Sequence, residues 1–201
     1  MGEIPEDGRV VYEEPYLSTL AQWEAPQEGT PPFRTMTKPV VTAVNGLCCG
    51  AGLDLVTTGD ITLASERAEF FDPHVSIGLV SGREMVRLAR VIPLNIAMRF
   101  ALTGRHERLS AQRAYDLGMV SEVVEHDRLL ERAHEVVALV NRNAPLAVRG
   151  TRLAIRKGLD LPLNEAEILA EAFRERVVRT DDAKEGPAAF LEKRAPRWTA
   201  S

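Results

Sequence analysis

Residues 45–55, Asn-Gly-Leu-Cys-Cys-Gly-Ala-Gly-Leu-Asp-Leu, place three glycines, two adjacent cysteines and an aspartate between apolar runs at Val40–Val44 and from Leu53 onward. Such a loop suits four chemistries: a disulfide, a metal, a phosphate, or charge developing on a carbonyl oxygen. Cys48 and Cys49 are neighbours, and pairing them would close a strained ring outside normal disulfide geometry. With no histidine or second cysteine pair at zinc spacing, they also make no metal site, so both read as small buried residues of a reducing compartment. The glycines at 46, 50 and 52 resemble a dinucleotide loop running from strand to helix. However, the loop lies 45 residues into the chain, and the next apolar run, Ile61–Ser65, ends without an acid. No tyrosine is followed four residues on by lysine, since Tyr12, Tyr16 and Tyr115 precede Tyr16, Leu20 and Met119 at that spacing.

The carbonyl site fits better. Small residues entering a helix let a substrate approach the backbone, and the first-turn N–H groups have no partner within the helix. With the positive end of the helix dipole behind them, such groups stabilise an oxyanion as well as a phosphate. Asp54 would then stand beside the reacting carbonyl; equally, it is a helix-start acid favoured by the dipole alone.

The elements that must position these residues follow from periodicity and stop signals. Residues 1–37 carry no sustained period and are rich in acids, prolines and glycines, which predicts an irregular segment with one short helix near Tyr16–Trp23. Strands are expected at Val40–Val44, Ile61–Ala64, Glu69–Phe71 and Val120–Val124. Helices are expected at Gly50–Thr58, Glu84–Val91, Asn95–Leu102 and Ala111–Leu117, the last capped by Ser110 and stopped by Gly118. Thereafter the chain reads as helical: Arg128–Asn141 capped by Asp127, Pro145–Lys157 with proline in its first turn, Glu165–Val178 and Asp181–Arg194. Alternating strands and helices imply an α/β fold with a mostly parallel sheet, followed by a helical region that packs on its own domain or covers a neighbouring subunit. The division expected is 1–37 irregular, 38–126 an α/β core, and 127–201 helical.

Composition is ordinary for a globular protein, at 45% hydrophobic and 27% charged. The net charge is −4 and the 25 Lys and Arg are dispersed, which argues against a nucleic-acid face. No apolar run reaches the ~18 residues of a membrane span, and the N-terminus lacks an apolar signal region, so a cytoplasmic protein with no membrane partner is expected.

The stretch KPVVTAVNGLCCGAGLDLVTTGDITLASERAEFFDPHVSIGL resembles the crotonase family of enoyl-CoA hydratases and isomerases. Its pattern is K-P-[VIT]-[VI]-A-A-V-N-G-x-x-x-G-G-G-x-[ED]-L-x-x-x-x-D-[IL]-x-x-A, then A-x-F-x-x-P-E-x-x-[IL]-G. ALTGRHERLSAQRAYDLGMVSEVV and RTDDAKEGPAAFLEKRAPRW match later blocks in the same order, so the resemblance runs from Lys38 to Trp198. It implies a spiral of ββα units with a C-terminal helical trimerisation region, assembly as trimers or dimers of trimers, and an acyl-CoA substrate. No separate cofactor is implied, because coenzyme A is part of the substrate, and no metal.

The resemblance also assigns site residues. One oxyanion N–H comes from Ala51, in the middle of the glycine triplet, with Gly50, Gly52 and Leu47 around the substrate. The two glutamates of hydratases fall at Asp54 and His74; aspartate is one methylene shorter, and histidine is a competent acid or base. His74 is equally a polar residue following Pro73 without chemistry. Glu84 lies in the loop that lines the acyl pocket in the family, and is equally a solvated first-turn acid. Phe190, Lys193 and Arg194 match the C-terminal block that helps cover the coenzyme, although an amphipathic helix with a basic end explains them too. His106, His126 and His134 are expected to face solvent.

The second oxyanion donor of the family lies on an earlier loop with an A-G-x-D-[IL] block, which residues 1–37 do not contain. A chain shortened at its start, with apolar sheet edges left open, is therefore expected to be less stable and less active than a full-length relative. The activity expected is hydration of a 2-enoyl-CoA; the alternatives are a CoA-thioester isomerase or C–C hydrolase, or a non-catalytic acyl-CoA-binding member of the family.

Overall fold

Among the described residues two three-stranded sheets arise because the first four strands step alternately from one sheet to the other. The computed structural model describes residues 36–201, so the helix expected near Tyr16–Trp23 lies outside the described residues. Strand β1 (Val41–Val44) pairs in parallel with β3 (Ile61–Ser65), Val41 opposite Ile61 and Val44 opposite Ala64. The other edge of β3 carries β6 (Glu122–Val124), also parallel. In the second sheet β2 (Leu47–Cys49) runs parallel to β4 (Glu69–Phe71), which pairs antiparallel with β5 (Leu109–Ser110). After β1 the chain passes Asn45–Gly46 into β2 and then helix α1 (Ala51–Thr58). After β3 a turn closed by Ala68 N–H to Ser65 C=O leads into β4. The ββα step thus repeats.

The central strand β3 is sealed: Leu63, Ala64 and Ser65 have essentially no exposed surface. Leu53 from α1 and Phe70 from β4 are fully buried in the same core, joined by Leu88 of α2 (Arg83–Leu88) and Phe100 of α3 (Leu94–Thr103). Each such side chain contributes roughly 1.5–3 kcal/mol of burial. Ser110 accepts a hydrogen bond from Arg113 N–H and caps α4 (Ala111–Asp116), as its sequence position predicts.

Four helices complete the chain: α5 (Leu129–Asn141), α6 (Pro145–Gly158), α7 (Leu163–Val177) and α8 (Asp181–Leu191). Asp127 does not cap α5; it sits inside a 3-10 turn, His126–Arg128, that precedes the helix. The apolar stripe of α7 divides, with Phe173 5% exposed and Ile168 70% exposed. The tail folds back on α8, where the buried Asp182 carboxylate accepts the N–H groups of Thr199 (2.7 Å) and Ala200 (3.0 Å).

Asp60, just before β3, ties α6 to the sheet. Its carboxylate accepts Val40 N–H at 2.8 Å, Arg152 Nε at 2.7 Å and Arg156 Nε at 3.0 Å. Asp60→Ala would leave two guanidinium groups and an amide without their shared acceptor in a largely buried setting. The expected loss is ~3–5 kcal/mol, seen as a lower midpoint in urea unfolding at unchanged slope.

Candidate active site

The glycine loop is a strand followed immediately by a helix. Periodicity did not reveal β2 there, because three residues show no alternation, and only the pairing of Leu47 with Glu69 and Cys48 with Phe70 makes it a strand. Gly50 then turns the chain at φ +50°, ψ −119°, a conformation closed to residues with a Cβ. At Gly52 a Cβ would lie 3.0 Å from Cys48 Sγ, so β2 and α1 approach closely only because that position is bare. Cys48 is buried in the core, which pushes its thiol up to about 12 and leaves it a protonated packing residue.

Ala51 is the first helical residue of α1 and lies exposed. Its N–H starts the helix, where no intrahelical acceptor exists, and the dipole places partial positive charge behind it. Three residues on, Asp54 is buried at 6% exposure. Arg87 of α2 reaches it, donating Nη1 to Oδ1 at 3.0 Å. Asp54 is a first-turn acid of α1, and an ion pair with a residue 33 positions away in sequence orients its carboxylate. No local spacing signals Arg87; it follows Glu84 by three positions on α2, and only the packing of α1 on α2 selects it.

His74 opens a 3-10 turn, His74–Ile77, after Pro73. Its carbonyl accepts Leu79 N–H at 2.9 Å, and Gly78 at φ +78° closes the turn. Its ring Nδ1 lies 2.5 Å from Oδ1 of Asp72. Like Arg87, Asp72 was not singled out in the sequence, although Asp-Pro-His places an acid two positions from the imidazole. The structure thus brings each member of the candidate pair to a partner of its own.

The other candidates fall in different settings. Leu47 is exposed at the start of β2, Gly50 and Gly52 flank Ala51, and Glu84 is half-buried in the first turn of α2. Phe190 is 83% exposed on α8, and Lys193 takes a left-handed φ of +54° just beyond it. Arg194 is held by Glu185 and Glu192. His126 does not face solvent freely, since its Nδ1 meets the buried Ser65 Oγ at 3.0 Å. A cavity of about 390 Å³ lined by Phe100, Arg99, Arg108 and Arg113 contains none of these candidates. Two of its arginines are already bonded to Glu107 and Glu69. Among the described residues no group of three or more His, Cys, Asp or Glu could hold a metal ion, and no helix is long and apolar enough to cross a membrane.

A family model described as enoyl-CoA hydratase/isomerase matches residues 7–201. A solved structure of an enoyl-CoA hydratase/isomerase from Mycobacterium paratuberculosis is 74% identical, with a TM-score of 0.83 over 99% of this chain and 75% of that one. A mevalonyl-coenzyme A hydratase of Aspergillus fumigatus is 36% identical over 173 residues, 85% of this chain and 63% of that protein. An enoyl-CoA hydratase of Mycobacterium tuberculosis is 37% identical over 166 residues, 82% of this chain and 62% of that protein. The chain thus spans less than two thirds of the length of these two curated relatives.

Proposed function

The chain belongs to the enoyl-CoA hydratase/isomerase family and has its crotonase-like α/β fold with a C-terminal helical region, and from that premise we propose that it hydrates a 2-enoyl-CoA thioester. The observation that carries the proposal is the start of α1, where the first-turn N–H of Ala51 and the buried, oriented carboxylate of Asp54 stand three residues apart. Water oxygen bonds to C3 as the C2–C3 π pair moves toward the thioester, and the negative charge collects on the thioester oxygen beside Ala51 N–H. His74 accepts the proton that water loses, and a proton returns to C2, so that H and OH are added overall. Asp54 orients the water or accepts its proton. Leu47, Gly50 and Gly52 border the acyl thioester; Glu84, on the α2 turn, faces the acyl part, and Phe190 and Lys193 help cover the coenzyme.

Self-association as a trimer or dimer of trimers belongs to the same proposal. It is supported by the apolar side chains of Ile168, Phe190 and Leu191, which are mostly exposed on α7 and α8. A cytoplasmic setting and the use of coenzyme A only as part of the substrate complete it.

One observation favours a second reaction on the same fold. Arg87 holds Asp54 Oδ1, so His74 would carry most proton movement, and a double-bond shift in the acyl chain needs only one such group. Incubation with short, medium and ring-containing 2-enoyl-CoAs, followed by the absorbance of the conjugated enone, separates the cases. Hydration is expected to bleach at least one of them. An isomerase would instead raise the absorbance from a 3-enoyl-CoA, and tight binding with no spectral change in either series would mark a non-catalytic acyl-CoA-binding protein.

A further inference from the structure

We propose that Asp72 is a positioning residue that holds the proton of His74 on Nδ1 and turns Nε2 toward the reacting acyl group; the inference rests on the hydration proposal only for its catalytic consequence. Asp72 follows β4 and has no exposed surface, so its carboxylate cannot reach a substrate. His74 keeps 24% of its side-chain surface open, so the imidazole is the member of the pair that a ligand can touch. Oδ1 of Asp72 meets His74 Nδ1 at 2.5 Å and also accepts the backbone N–H of His74 at 3.4 Å. An ionised carboxylate only accepts, which makes Nδ1 the donor and leaves Nε2 with a lone pair on the opposite edge of the ring.

The second carboxylate oxygen supports this assignment. Oδ2 of Asp72 is buried and has no hydrogen-bond partner among the described residues. A buried oxygen left unsatisfied costs free energy that a purely structural acid would recover by finding a donor. Among the described residues the His74 ring is the side chain hydrogen-bonded to this carboxylate, so no other side chain competes with the ring for it. Pro73 between the two residues and the 3-10 turn behind His74 fix the backbone, so the pair needs no rearrangement to act.

The test is the nitrogen NMR spectrum of the ¹⁵N-histidine-labelled protein, with His74 assigned by its absence in His74→Gln and the ring titrated to its neutral form. The expected spectrum has a protonated Nδ1 and an unprotonated Nε2. In Asp72→Ala, which removes the acceptor, the proton moves mainly to Nε2, while kcat on the enoyl-CoA substrate falls by about 10²-fold or more at unchanged KM. A wild-type ring protonated on Nε2 overturns the proposal without any variant, and so does an unchanged tautomer in folded Asp72→Ala. If Asp72→Ala does not fold, the wild-type tautomer alone decides the proposal. The expected tautomer together with no turnover of any enoyl-CoA would leave the Asp72–His74 assignment standing and reject the hydratase assignment.

Discussion

Replacing His74 with alanine is expected to lower kcat on a 2-enoyl-CoA by about 10²–10⁴-fold, the usual contribution of a positioned acid or base, while acyl-CoA affinity is retained. The ring is mostly buried, 24% exposed, and is bonded to the buried Asp72, so a urea midpoint measured on His74→Ala and on His74→Gln separates loss of the proton carrier from loss of stability. Asp54→Asn is expected to lower kcat as well, for a different reason. The amide keeps the size of the side chain but not the charge that pairs with Arg87 at 3.0 Å, so both orientation and basicity are lost. Stopped-flow absorbance for turnover and calorimetric titration with a saturated acyl-CoA for affinity separate the two quantities. Unchanged turnover in both variants would remove the pair from the mechanism.

Ala51→Pro is expected to cost about 10²–10³-fold in kcat, the effect of deleting one oxyanion-hole donor. Proline is well tolerated as the first residue of a helix, because the N–H it lacks has no intrahelical partner there. The residue before a proline is normally restricted by its own Cβ, but here it is Gly50, which has none. The substitution should therefore delete the donor and preserve α1, which circular dichroism and the urea midpoint would verify. Ala51→Gly, which keeps the N–H, should retain turnover within a few fold and serves as the control. Equal activity in Ala51→Pro would show that the carbonyl is held elsewhere.

How much of this was legible in the sequence depends on how local each feature is. The cap at Ser110 and the proline start of α6 are set by one or two residues, and both were readable. The core strand β3 was readable because Ile61, Leu63 and Ala64, with the β-branched Thr62 among them, make a short and mostly apolar run. The three-residue strand β2 was not, since its state depends on pairing with β4 rather than on its own pattern. Asp127 looked like a cap, but the chain enters α5 through a 3-10 turn that absorbs it.

The candidate site divides in the same way. Ala51, Asp54 and His74 follow from resemblance to family motifs, and Asp54 also from the helix start. Arg87 and Asp72 do not, although each touches one of them. Arg87 meets Asp54 through helix packing across 33 positions, which no local pattern encodes. Asp72 is close in sequence, yet its significance lies in complete burial and an unpartnered oxygen, both properties of the folded chain.

The hydration mechanism makes one commitment that its alternatives do not share: a new hydroxyl at C3 must appear with a solvent-derived hydrogen at C2. Turnover of a 2-enoyl-CoA in D₂O, with the product examined by mass spectrometry and proton NMR, reads this out. The expected product is a 3-hydroxyacyl-CoA carrying one deuteron at C2, formed at a rate that His74→Ala suppresses. A product with no deuteron at C2, or a 2-enoyl-CoA that binds and is recovered unchanged, would contradict hydration through a thioester enolate.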